Sequence, residues 1–111
     1  MRIGAEGMSE AFCKELVQRI TRNLTDIQIL RLLEVQPLWG YRIKKKVELD
    51  LGVKLRHGTL YPTLSLLETR GFVAGEKQQY GGRARKVYSI TEEGRKYLQS
   101  YYTIIREQLA I

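Results

Sequence analysis

The residues that could carry covalent or metal chemistry are few: the chain has a single histidine, His57, and a single cysteine, Cys13. No second imidazole or thiol stands at ligand spacing, so neither a metal site nor a nucleophile with its base can be assembled around them. No catalytic residue, metal or cofactor is expected, and an enzyme is excluded. What the sequence supplies in quantity is fixed positive charge. Eleven of the nineteen lysines and arginines lie between Tyr41 and Ile90 against four acids, whereas eight bases meet eight acids in the rest of the chain. The net charge of +7 therefore sits in the middle. A localised excess of this kind suits the holding of a polyanion, whose phosphates it neutralises, better than general solubility. Within it Lys44, Lys45 and Lys46 are consecutive, and Arg83, Arg85 and Lys86 follow the pair Gly81-Gly82.

The elements that must position these charges can be read from periodicity. Ser9 is placed to cap a helix in which Phe12, Leu16 and Ile20 fall four apart, ending near Asn23. Thr25 then begins a second helix, with Asp26 in its first turn, Ile27, Leu30 and Leu33 along one side and Pro37 as its stop. A third runs from about Leu38 to Leu51, turning Ile43, Val47 and Leu51 inward and the lysines outward, and Gly52 closes it. A fourth, from about His57 to Arg70, carries the stripe Leu60, Leu64 and Leu67 and stops at Gly71. Phe72 to Tyr80 and Arg85 to Ile90 read as strands around the Gly81-Gly82 turn, with Tyr88 and Ile90 on one face. Thr91-Glu92-Glu93 opens a last helix, in which Tyr97, Leu98, Tyr101, Ile104, Ile105 and Leu109 keep helical spacing.

The fold class is mainly α with a small β-hairpin wing: a winged helix-turn-helix with additional N-terminal and C-terminal helices. The expected division is a flexible N-terminus over residues 1–8, an N-terminal helix over 9–23, a winged helix domain over 24–91 and a C-terminal helix over 92–111. A length of 111 residues suits one compact unit. No apolar run reaches the roughly 18 to 20 residues that span a membrane, and Met1 to Ser9 lacks the apolar centre of a signal peptide, so a cytoplasmic location is expected.

Three separated motifs give the order a family. Gly58-Thr59-Leu60-Tyr61-Pro62-Thr63-Leu64, followed by Leu67-Glu68 and Gly71-Phe72-Val73, resembles the signature of the PadR family of transcriptional regulators. Pro37-Leu38-Trp39-Gly40-Tyr41 resembles that family's turn into the preceding helix, and Gly81 to Gly94 its wing and exit. The resemblance covers roughly Thr25 to Leu98. It departs at Arg56-His57, where the family often has Ser-Pro, and at Ala84, where it often has Pro. With one helix after the wing, the chain resembles the short-tailed members. The resemblance implies a homodimer that binds pseudo-palindromic double-stranded DNA, usually as a repressor, with the terminal helices forming the dimer. A small-molecule effector, whose chemistry the sequence does not name, is a further partner to consider.

Recognition of DNA needs cations for affinity and base-edge contacts for specificity. The candidates are Lys44 and Lys45 on one helix, then Arg56, His57, Thr59, Tyr61 and Ser65 on the recognition helix, and Arg83, Arg85 and Lys86 in the wing. Arg56 and His57 are best placed to reach base edges, Thr59 and Tyr61 to donate to phosphates, and the wing arginines to enter a narrow minor groove. The outward residues Gly58, Thr59, Pro62, Ser65, Leu66 and Thr69 include none able to make a bidentate base contact. The candidate dimer residues are Phe12, Cys13, Leu16, Ile20, Tyr97, Tyr101 and Ile105. Two paired copies of the first helix either bring two Cys13 thiols together or leave each as a small buried thiol. Trp39 has two readings, packing or an effector pocket with Tyr97, Tyr101 or Tyr102. Two rival functions stay open: an architectural, nucleoid-type protein of little sequence preference, and a protein-interaction or RNA-binding module on the same fold.

Overall fold

The computed structural model describes residues 7–52 and 54–109, His57 by its backbone alone. Most of the flexible segment expected over 1–8 lies outside the described residues. The order is α1 (Glu10–Val35), β1 (Leu38–Trp39), α2 (Gly40–Leu51), α3 (His57–Thr69), β2 (Val73–Tyr80), β3 (Arg83–Ile90) and α4 (Glu92–Leu109).

One helix stands where two were expected. Ser9 caps α1 as anticipated, its hydroxyl accepting from the Phe12 amide at 3.2 Å. No break follows Asn23, because Thr25 does not act as a cap. Its hydroxyl donates back to the Thr21 carbonyl at 2.7 Å, and that of Thr21 to Val17 at 2.7 Å. Both hydroxyls are satisfied within the continuing helix and can be buried there. The buried residues of α1 begin at Thr21; the half before it exposes Phe12, Leu16 and Ile20.

The other correction is at Leu38-Trp39, expected at the start of a helix. These two residues are a short strand paired antiparallel with β3, Leu38 opposite Tyr88 and Trp39 opposite Val87. The sheet order is β1-β3-β2, antiparallel throughout. Tyr80 pairs with Arg83 across the two-residue turn, where Gly81 and Gly82 have φ of 53° and 82°. Positive φ at both positions makes the tight turn whose twist matches the strands, which is why two glycines stand there. Beyond Gly75, β2 is exposed to its tip, so the hairpin projects from the body as a wing.

The core forms where the stripes predicted it. Ile29, Leu30, Ile43, Val47, Leu60, Leu64 and Leu98 are the fully buried large side chains, joined by Ile27, Leu33, Leu51 and Leu67. The helix ends also follow the sequence. Gly52 ends α2 in the left-handed conformation, its amide donating to the Glu48 carbonyl at 2.8 Å. At the end of α3 the amides of Gly71 and Phe72 donate to the carbonyls of Glu68 and Leu67, the paired bonds that close a helix on a left-handed glycine. Thr91 joins this corner to α4: its hydroxyl donates to the Gly71 carbonyl at 2.6 Å and accepts from the Gly94 amide at 3.0 Å.

Candidate nucleic-acid interface

The turn between α2 and α3 fixes the approach of the second helix to the first. The Glu48 carboxylate leaves α2 to accept from the Leu55 amide at 2.8 Å, so the last turn of α2 organises the chain that leads into α3. Arg56 is the N-cap of α3, extended and exposed, and its carbonyl accepts the amides of Thr59 and Leu60 at 3.0 and 3.1 Å. Those two amides are therefore already used inside the helix. What half-buried Thr59 has to offer a phosphate is its hydroxyl rather than its N–H. The side chain of His57, the other base-edge candidate, lies outside the described residues.

One arc of α3 faces solvent: Gly58, Tyr61, Pro62, Ser65, Leu66 and Thr69 are all exposed. Tyr61 sits at its edge, with its ring over the first residue of α2. A Cβ on Gly40 would come within 3.0 Å of the Tyr61 Cε1, so the glycine there makes room for the ring. Nothing lies within 4 Å of a Cβ built on Gly58.

The wing charges are held to different degrees. Arg83 is exposed at the tip and has no ion pair or ring contact among the described residues. Arg85 is half-buried, its guanidinium 3.9 Å from the centroid of the Trp39 ring and 5.4 Å from that of Tyr80. Both distances fit cation–π attraction. Lys86 is bonded to Glu68 of α3 at 2.8 Å and stands 5.5 Å from the Tyr88 ring centroid. The hydrogen bond to Glu68 raises the Lys86 pKa, against a smaller effect of desolvation. The pair crosses β2 at Gly75, where a Cβ would collide with the Lys86 Cε and lie 2.8 Å from the Glu68 Oε2. Burial, foremost among several causes, pushes the Tyr88 hydroxyl above the ordinary tyrosine range. On α2, Lys45 is exposed, 4.0 Å from Glu48 and 5.4 Å from the Tyr41 ring centroid, while Lys44 is half-buried.

The structure thus brings Tyr61 together with Arg83, Arg85 and Lys86 around a cleft of about 300 Å³, lined also by Trp39, Tyr41 and Tyr88. Ser65 belongs to the same exposed arc of α3 as Tyr61, whereas Lys45 and Arg56 lie outside the cleft. Trp39 packs against Tyr41 and Arg85, and the cleft it lines includes none of Tyr97, Tyr101 and Tyr102 among the described residues. Sequence reasoning missed Glu68, Tyr80 and Trp39 as supports of the wing. Only their proximity in the fold reveals them.

The candidate dimer residues divide. Phe12, Leu16, Ile20 and Ile105 are exposed, as are Ile104 and Leu109, and Cys13 is half-buried. Tyr97 instead stacks on Phe72 with centroids 4.3 Å apart, and Tyr97 and Tyr101 both pack against the core of their own chain. Burial and, after it, Asp26 of α1 raise the Tyr101 pKa. Among the described residues no three His, Cys, Asp or Glu gather as a metal site, and no helix is long and apolar enough to cross a membrane.

Comparison with known proteins follows the same outline. The family model described as the transcriptional regulator PadR-like family matches residues 29–100. A transcriptional regulator of Mycobacterium tuberculosis is 47% identical over 47 residues, 42% of this chain and 44% of that protein, so the match spans less than half of that relative. Among solved structures, a PadR family transcriptional regulator from Eggerthella lenta superposes with a TM-score of 0.73 at 26% identity, over 91% of each chain. A transcriptional regulator from Thermoplasma acidophilum gives 0.64 at 32% identity, over 83% of this chain and 94% of that one.

Proposed function

The chain belongs to the PadR-like family of transcriptional regulators, and on that premise we propose that it is a homodimeric repressor binding pseudo-palindromic double-stranded DNA through α3 and the wing. The observation that carries the reading is the shared face. An exposed arc of α3 and a projecting arginine-bearing hairpin flank one cleft, within the stretch of chain that holds the whole net charge. A helix in the major groove with a wing beside it is how this fold engages a duplex, and the cations supply the phosphate neutralisation that affinity requires. Lys44, Lys45 and Arg56 extend that role along the backbone, and Thr59, Tyr61 and Ser65 contribute hydroxyl contacts.

The dimer is formed by the apolar stripe on the first half of α1 and the exposed end of α4. Phe12 is 64% exposed and Ile104 56%, more apolar surface than a lone small domain comfortably presents to water. Pairing these faces sets two copies of α3 about one DNA turn apart, roughly 34 Å. Selection of binding sites from a random duplex library tests the reading. Inverted repeats with half-sites one turn apart are expected, and a reporter placed behind the selected site should fall in expression when the protein is made. Sedimentation that finds a monomer at micromolar concentration would overturn the dimer.

A second reading has one observation in its favour. The exposed arc of α3 carries no Arg, Asn or Gln, so an architectural protein coating DNA with little preference fits the same face. Genome-wide footprinting separates the two: a few sharp sites favour the repressor and broad coverage the architectural protein.

A further inference from the structure

We propose that the middle of α3 reads thymine: Pro62 and Leu66 pack against the C5-methyl groups of an A·T-rich duplex in the major groove, while Arg83 enters the narrow minor groove alongside. This rests on the DNA-binding reading above and names the class of sequence bound.

Two independent observations converge on A·T pairs. The first is the chemistry of the exposed arc. Leu66 is 47% exposed and Pro62 is also exposed, four residues apart on one side of the helix. Neither can hydrogen-bond a base edge. Thymine is the base that displays a methyl group in the major groove, and apolar side chains recognise it by contact. Four residues of helix advance about 6 Å, close to two base-pair steps at about 3.4 Å each. The pair therefore spans neighbouring thymines. Ser65 and Thr69, exposed between and beyond them, are short enough to let the helix lie close.

The second observation is the unequal commitment of the wing cations. Arg85 is stacked on Trp39 and Lys86 is bonded to Glu68, but Arg83 stands exposed beside two glycines at the tip. Arginine on a slender tip suits a narrow minor groove, and A-tracts have the narrowest and most negative one. The surroundings supply charge complementarity for the apolar arc. An unpartnered leucine in the basic half of the chain suits the methyl-bearing edge of a polyanion, where phosphates engage the cations and methyls the leucine.

The test uses the full chain and three duplexes of about 30 base pairs, three turns of B-DNA, titrated by fluorescence anisotropy at one salt concentration. They are alternating dA-dT, the same duplex with deoxyuridine for thymidine, and alternating dG-dC. Deoxyuridine removes the methyls and leaves the minor-groove edges unchanged. The expected order is dA-dT tightest, with a loss of about fourfold per contacted methyl on deoxyuridine replacement, the ratio that a buried CH₂ group implies. Leu66→Ala should weaken binding to the dA-dT duplex by a similar factor and leave the deoxyuridine duplex unchanged. Arg83→Ala should weaken both alike. An unchanged melting temperature verifies that each variant folds, and both side chains are exposed. Equal affinity for thymidine and deoxyuridine duplexes overturns the proposal, as does an equal loss on both in Leu66→Ala or a preference for dG-dC. If none of the three duplexes binds even at low salt, the DNA-binding reading itself is wrong.

Discussion

Gly58→Ala separates what α3 needs for folding from what it needs for its ligand. Gly58 lies in the first turn of α3, exposed, without positive φ, and with nothing within 4 Å of a Cβ placed there. The protein's own packing gives no reason for a glycine. Alanine should lower the entropy cost of forming the helix and stabilise the protein by about 0.5 to 1 kcal/mol, toward the lower end because the position is near the helix start. For a domain of this size the melting temperature should rise by about 2 to 5 °C. DNA affinity should move the other way. If the first turn of α3 seats against the duplex, the added methyl group must be accommodated in a close-packed contact, which costs about 1 to 3 kcal/mol. At tenfold per 1.4 kcal/mol this is roughly a five- to hundredfold weaker complex. Thermal denaturation and anisotropy on a selected site measure the two effects. A variant that is more stable and binds equally well would refute the placement of this turn at the DNA. A variant that is less stable would refute the open space around it.

The same substitution at Gly94 should have the opposite effect on stability: there a Cβ would overlap the Phe72 carbonyl oxygen and lie 2.8 Å from Ile90 Cγ1. Backbone cannot step aside cheaply, so Gly94→Ala should lose about 1 to 3 kcal/mol in chemical denaturation; wild-type stability would mean that α4 sits farther from the β2 corner. Among wing cations, Arg83→Ala should flatten the plot of log affinity against log salt by about one unit. Lys86→Ala should flatten it less, because Glu68 already neutralises that charge; equal changes would argue that the pair opens on DNA. In an ultraviolet titration, Tyr88 and Tyr101 should ionise above the ordinary tyrosine range, and Tyr88→Phe should remove part of that late phase. Their raised pKa values favour the neutral form in the folded state. The resulting stability is present below the ordinary tyrosine range and lost as pH climbs through about 10 and above; a Tyr88→Phe variant that loses nothing from the late phase would refute the burial of Tyr88.

Much of the fold was legible because local chemistry and the fold agree. The leucine stripe of α3, Gly52 and Gly71 as stops, the Gly81-Gly82 turn and the Thr91 cap each announce themselves within a few residues. The failures have equally specific causes. Thr25 looks like a cap because threonine often is one, but a hydroxyl that bonds four residues back serves the interior as well. A strand of two residues such as Leu38-Trp39 exists only because β3 lies beside it, and no periodicity can register over two positions. At the candidate site, spacing identified the cations but not their commitments. Glu68 and Lys86 meet only because the hairpin folds back over Gly75, and Arg85 finds Trp39 only through the β1–β3 pairing. Tyr97 and Tyr101 share a periodicity with Ile105, yet they face their own core while the helix beyond runs clear of it.

The continuity of α1 has a mechanical meaning. Its 26 residues form a rod of about 39 Å without an interior hinge. One half is set in the core under α2 and α3, and the other stands free with its apolar stripe. A rod fixed at one end works as a lever. In the proposed dimer, tilting it by about 10° where two copies cross near Leu16 would carry the far end, about 28 Å away, through about 5 Å, roughly one and a half base-pair steps. The spacing at which that dimer's two α3 helices meet a duplex would then be governed by the angle between two rods, far from any residue that touches DNA.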